Sequence, residues 1–120
     1  MAGPTLVWLH SSPYNSSRAR EALDYLLALA AVEQPAQLLL TGPAVVLLQP
    51  HADFSQSLQL KDCSKQLGLL PLYELPAPWV CQHSLARYLP DAAVLAYDGT
   101  LLAEPDWQQQ LSHFSQVVSF

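Results

Sequence analysis

Charge is what this chain has least of. Asp, Glu, Lys and Arg make up 12% of its 120 residues, about half the usual ~25%. Apolar residues reach 51%. So few charges leave an apolar surface, and monomers rarely expose large apolar patches. An oligomer, or a subunit of a larger assembly, is the expectation. Positive charge is the scarcer sign: five Lys and Arg against ten Asp and Glu give a formal charge of −5. Arg18, Arg20, Lys61, Lys65 and Arg87 form no run that could follow a phosphate backbone. That argues against direct nucleic-acid binding.

Other absences narrow the chemistry. There are only four glycines, and none lies in "HSSPYNSSRAR" after the first apolar run. Neither a GxGxxG dinucleotide loop nor a Walker phosphate loop is present, and GxSxG is missing too. The histidines His10, His51, His83 and His113 are scattered. Cys81-x-His83 is the one close Cys/His pair, too few ligands for a metal. No cofactor and no metal are therefore expected. The two cysteines, Cys63 and Cys81, make no disulfide framework. "MAGPTLVWLHSS" has no cationic region of the kind that opens a signal peptide. The apolar stretch "ALDYLLALAAV" falls far short of the ~20 residues that span a bilayer. A cytoplasmic chain without membrane contact is the expectation.

What is present is an alternation of short apolar runs and helical patterns. "TLVWL" (Thr5–Leu9) reads as a strand. Leu23, Leu26, Leu27 and Ala30 then share one helical face, with Ser16 or Ser17 as N-cap and Pro35 beyond the end. "QLLLT" (Gln37–Thr41) is a second strand, stopped by Gly42-Pro43. "AVVLL" (Ala44–Leu48) fits a short helix or a strand. Residues 53–69 carry a helical pattern with Leu60, Cys63 and Leu67 in line. "LYEL" (Leu72–Leu75) reads as the third strand, and residues 82–88 as a short helix. "AAVLAY" (Ala92–Tyr97) reads as a fourth strand, turned by Asp98-Gly99. Pro105 suits the first position of a last helix, with Trp107, Leu111 and Phe114 as its buried stripe. "QVVSF" closes the pattern as a strand. Spacings of about 20 to 30 residues leave room for a crossover between parallel strands. The expected fold is a three-layer α/β/α domain over residues 1–120, with a mainly parallel sheet of about five strands.

Three residues could carry chemistry. His10 follows the first strand at the carboxyl edge, where sites collect in open α/β sheets; its plain role is a partly exposed loop histidine. Cys63 lies on an apolar helical stripe, where cysteine acts as a small hydrophobe. Cys81 stands between strand and helix, where unpaired N–H groups and the helix dipole favour a thiolate. Against that, Trp79, Val80 and Leu85 are apolar neighbours, and apolar burial raises a thiol pKa.

The run "LGLLPLYELPAPWVCQHSL" (Leu67–Leu85) resembles the signature of TusC/DsrF proteins in the DsrE/DsrF-like superfamily. That signature has a leucine-rich helix end, a "LYD/EI" strand, then "WVC" and "SL". "SSPYNSSRAREALDYLLALAA" resembles the family's first loop and helix, although Asn15 stands where glycine is common. "HFSQVVSF" resembles its closing strand, with Ser115-Gln116 in place of Tyr-Asp. The resemblance implies a subunit of a TusBCD-type sulfur-relay complex rather than an enzyme by itself. Such a complex is a heterohexamer with two copies each of TusB-like, TusC-like and TusD-like chains. It takes persulfide sulfur from a TusA-like carrier and passes it to a TusE-like one, toward 2-thiolation of wobble uridine in tRNA. The family's established sulfur-carrying cysteine belongs to the D subunit, and Cys81 falls at the corresponding strand-to-helix place. Two alternatives go with the resemblance. One is a DsrF-like subunit of a DsrEFH complex in sulfur oxidation. The other is a sulfurtransferase in its own right, with Cys81 as persulfide carrier.

Overall fold

The computed structural model of the protein describes residues 3–13, 17–48, 65–90 and 99–120. Strand β1 (Thr5–Leu9) leads to helix α1 (Arg18–Ala31) and strand β2 (Ala36–Leu40). A 3-10 helix (Gly42–Leu48) follows, and later a second one (Leu70–Tyr73). Then come β3 (Trp79–Cys81), α2 (Gln82–Tyr88), β4 (Thr100–Leu102), α3 (Glu104–Gln110) and β5 (Gln116–Ser119). The five strands form one sheet in the order β4-β3-β2-β1-β5. Every pairing is parallel, with Thr5 opposite both Ala36 and Gln116, Leu39 opposite Trp79, and Cys81 opposite Leu102.

The strand order explains how the faces are covered. From β1 to β4 the chain steps one way across the sheet, so right-handed crossovers put the intervening elements on one face. The return from β4 to β5 runs the other way and puts α3 on the opposite face. Alternation along the strands feeds both layers. Val7, Leu9, Leu38, Leu40 and Val80 point into a core with Ala22, Leu23 and Leu26 of α1, Val45 and Leu47 of the first 3-10 helix, and Leu67 and Leu70. Leu6, Leu39 and Cys81 point the other way and meet Trp107 of α3. The second core is thinner: Trp8, Trp79, Leu102, Leu111 and Phe114 pack on it but stay half-buried. The architecture is thus the three-layer α/β/α arrangement, with one face covered more deeply than the other.

The runs at Thr5–Leu9, Gln37–Thr41 and the closing "QVVSF" form strands within a residue of expectation. The α1 stripe holds, with Leu23 and Leu26 buried and Leu27 and Ala30 half-buried. Ser17 occupies the N-cap position, yet its hydroxyl donates to Glu21 Oε1 at 3.0 Å instead of capping backbone. The ambiguous "AVVLL" is helical, entered through Gly42 at φ +57°, a left-handed conformation natural to glycine.

"LYEL" is not a strand. Leu70–Tyr73 is a 3-10 turn closed by Glu74 in the left-handed region, and Leu72 is 77% exposed. Pro71 suits the first turn of a helix and cannot donate to a ladder. The third strand therefore falls beyond Pro78, at Trp79–Cys81. The expected strand Ala92–Tyr97 and most of the 53–69 helix, with Cys63 and His51, lie outside the described residues. Residues 65–68 are helical. The fourth strand of the structure is Thr100–Leu102, and Gly99 leads directly into it. An added Cβ at Gly99 would sit 2.8 Å from Val80 Cγ2, so β3 and β4 meet there at the distance only glycine allows.

Candidate functional site

Cys81 is both the last residue of β3 and the N-cap of α2, at φ −66° and ψ 116°. An N-cap side chain faces the unpaired N–H groups of the first helical turn. Ser84 occupies the third helical position, which puts its N–H and hydroxyl on the sulfur's side of the helix start, although Cys81 makes no side-chain cap hydrogen bond. Ser84 is itself held, because its Oγ accepts the Gly42 N–H at 2.8 Å. With that lone pair engaged, the hydroxyl proton is free to point at Cys81. Gly42 thereby joins the end of β2 to the start of α2 beside the thiol.

The side chain of Cys81 is 3% exposed, between Leu6, Leu39 and Trp107. Burial is the largest single influence on its ionisation and pushes the thiol up. The Ser84 hydroxyl and N–H, the Trp107 indole and the His83 N–H act the other way. Together they outweigh burial and hold the thiol below its ordinary value. The Trp107 indole N–H approaches the sulfur closely enough to favour the thiolate. It nonetheless reaches hydrogen-bond geometry with neither Sγ nor any other atom among the described residues. It is a nearby donor rather than a formed hydrogen bond.

His10 sits after β1 at the carboxyl edge as expected, exposed, with its ring edge-on to Trp8 at 5.7 Å. The backbone N–H of His10 donates to Phe120 O at 3.2 Å. His83 presents its backbone N–H to Cys81 and keeps its side chain exposed. The structure therefore gives Cys81 hydrogen-bond donors and no imidazole base among the described residues. Acyl transfer by a cysteine uses a histidine to shuttle the proton to the leaving group. Sulfur exchange needs only an accessible thiolate and a good leaving thiolate. The donor set fits the second chemistry, whereas the access it needs is closed in this conformation, with Cys81 3% exposed.

Two members of the site carry different signals in the sequence. Ser84 was not singled out from the sequence, although Cys-x-x-Ser across a helix start, the N-cap to N3 spacing, is a signal that finds it. Trp107 was placed on a buried helical stripe, and nothing local links it to Cys81. Their meeting depends on the return of α3 over the second face. A cavity of about 580 Å3 opens at the opposite, amino edge, lined by Pro4, Ala36, Tyr73 and Phe114 with the carboxylates of Glu33 and Glu74. Among the described residues it is lined by no thiol, histidine or lysine, so size alone does not make it the site.

Comparison with known proteins identifies the family. The model of the DsrE/DsrF-like family matches residues 5–120. A "Protein TusC homolog" from Aliivibrio fischeri is 27% identical over 110 residues, 92% of each chain. Another from Vibrio parahaemolyticus is 30% identical over 110 residues, again 92% of each. The crystal structure of the ychN protein from E. coli superposes with a TM-score of 0.80 over the whole of both chains at 16% identity, which bears on the fold alone. Among the described residues no helix is long and apolar enough to cross a membrane. With its family match running from the first strand to the last, and its similarity to TusC homologs across most of their length, the protein belongs to the DsrE/DsrF-like family.

Proposed function

We propose that the protein is the TusC-like subunit of a cytoplasmic TusBCD-type complex. In it, persulfide sulfur received from a TusA-like carrier moves on to a TusE-like carrier for 2-thiolation of wobble uridine in tRNA. The observation that carries this is likeness to TusC homologs along 92% of both chains. Two physical features support it. The second sheet face is thinly covered, with Trp79, Leu102 and Phe114 half-buried, and the edge strands leave Leu101 and Val117 exposed. A chain with so little surface charge is suited to being enclosed by TusB-like and TusD-like partners. The acidic balance fits a subunit that never touches tRNA itself.

The test has two arms. Co-expression with the B-like and D-like chains should yield a co-purifying complex, whereas the chain alone should self-associate. Deleting the gene should remove 2-thiouridine from wobble positions, read by mass spectrometry of digested tRNA. A stable monomer that ignores such partners, or unchanged 2-thiouridine, would overturn the proposal.

A second reading has an observation of its own. The donors around Cys81 favour a thiolate despite burial, which a purely structural cysteine does not need. In this reading Cys81 carries sulfur itself, as a station within the complex. Cys81→Ser in the assembled complex should then slow sulfur transfer from the donor persulfide. Transfer at the unaltered rate would leave the chain with assembly as its task.

A further inference from the structure

Trp107 is 5% exposed, and its indole N–H has no hydrogen-bond partner among the described residues. A buried donor left unpaired is costly, and native proteins seldom keep one without reason. The neighbouring indole shows the contrast: Trp8 donates to Thr41 Oγ1 at 2.8 Å. The two rings meet edge-to-face, with centroids 5.4 Å apart and planes at 61°. Trp107 is therefore clamped between Trp8 and the Leu6–Leu39–Cys81 surface, and its N–H is directed at the sulfur without engaging it.

We propose that the Trp107 indole N–H, which has no partner among the described residues, is the docking donor for the outer sulfur of a persulfide carried on Cys81. The proposal rests on the reading of Cys81 as a sulfur carrier and names the residue that would hold its cargo. The chemistry is an exchange. The Cys81 thiolate attacks the outer sulfur of a donor persulfide R–S–SH, and the bond between the donor's two sulfurs breaks. A new S–S bond forms to Cys81 Sγ, and the donor leaves as the thiolate R–S⁻, so no outside oxidant or reductant is required. The transferred sulfur stands one S–S bond, about 2.0 Å, beyond Sγ. There a terminal sulfur is an acceptor for a donor that Sγ alone leaves unengaged. Ser84 and the first-turn N–H groups lie on the α2 side of Sγ, while Trp107, on the α3 side, takes the sulfur being moved. Leu6 and Leu39, packed with Cys81 and Trp107, give surroundings that suit a large, weakly hydrated sulfur anion better than an oxygen.

The test uses the full chain, loaded with inorganic polysulfide and mapped by peptide mass spectrometry. Wild-type protein should gain one sulfur atom on Cys81, and Cys81→Ser should gain none at that position. In 15N-labelled wild type, the Trp107 side-chain N–H resonance should move on loading and return with dithiothreitol, while that of Trp8 stays. Trp107→Phe keeps a ring in place and removes the donor. It should surrender its sulfane sulfur to cyanide about tenfold faster, the loss of one hydrogen bond to an anion. The resonance experiment needs no variant, so a poorly folding Trp107→Phe would not spoil it. If no sulfur reaches Cys81, the carrier reading and this proposal fall together. If Cys81 takes up sulfur while the Trp107 resonance stays unmoved, the assignment to Trp107 alone is overturned.

Discussion

Replacing Gly99 by alanine sets two effects of opposite sign against each other. Gly99 is not in the left-handed region, so alanine suits its backbone and should gain about 0.4–1 kcal/mol by restricting the unfolded chain. Against this, the new Cβ would lie 2.8 Å from Val80 Cγ2 and 3.3 Å from Pro78 O. Neither neighbour can give way easily. Val80 is fully buried and stiff at χ1, and Pro78 O accepts the Thr100 N–H at 2.8 Å. Overpacking of this kind costs about 1–3 kcal/mol, so the clash should win by about 1–2 kcal/mol. Urea unfolding followed by circular dichroism measures the net. The cause can be isolated with Val80→Ala, which removes the opposing methyl. Val80→Ala destabilises alone by emptying core volume, but in the double variant the clash is gone. The cost of the double variant should then fall short of the sum of the two single costs by about 1 kcal/mol. A neutral or stabilising Gly99→Ala, or costs that simply add, would refute the packing argument.

Other expectations are as direct. Gly42→Ala should cost about 1–2 kcal/mol, because alanine is strained at φ +57° even though its Cβ finds space; Gly42→Asn should cost less in the same urea assay. Ser84→Ala should destabilise by about 1–3 kcal/mol by orphaning the Gly42 N–H. In a Cys63→Ser background, iodoacetamide labelling of Cys81 should show a midpoint below the ~8.5 of a free thiol, and Ser84→Ala should move it up. The folded thiol pKa lies below the unfolded one, so ionisation of Cys81 stabilises at alkaline pH, and that stability is lost as pH falls through the folded midpoint. The stability gap between wild type and Cys81→Ala should therefore widen as pH rises, read from urea midpoints across pH. Leu72→Asp should change stability by less than about 0.5 kcal/mol; a severe loss would return Leu72 to the sheet.

The parts of the fold visible in the sequence are those where one local pattern suffices. β1 and β2 are five-residue apolar runs, long enough to stand apart from helix periodicity. Pro105 and the stripe through Trp107 mark the start of α3 for the same reason. β3 and β4 have three residues each, too few to show any period. "LYEL" offered four apolar-rich residues nearby and drew the expectation, although the prolines around it favour a turn. Cys81 was legible as a junction residue because strand, cysteine and helix start are contiguous. The balance of its environment was not, since burial comes from Leu6 and Leu39 and one donor from Trp107. Those residues reach Cys81 only through the sheet order.

That sheet order also sets the tempo at which the molecule can be completed. β1 pairs with β2 on one side and β5 on the other, residues 5–8 against residues 116–119. The first pairing is available once residue 40 has emerged from the ribosome. The second must wait for nearly eighty more residues, on the order of ten seconds at usual synthesis rates. Through that interval the outer edge of β1 stays open, carrying Leu6, Val7 and Trp8 on an unpaired ladder of the kind that recruits foreign strands. β5 is thus the piece that ends the chain's vulnerability to misassociation during birth. Variants that weaken its pairing should be felt first as lost yield of nascent protein.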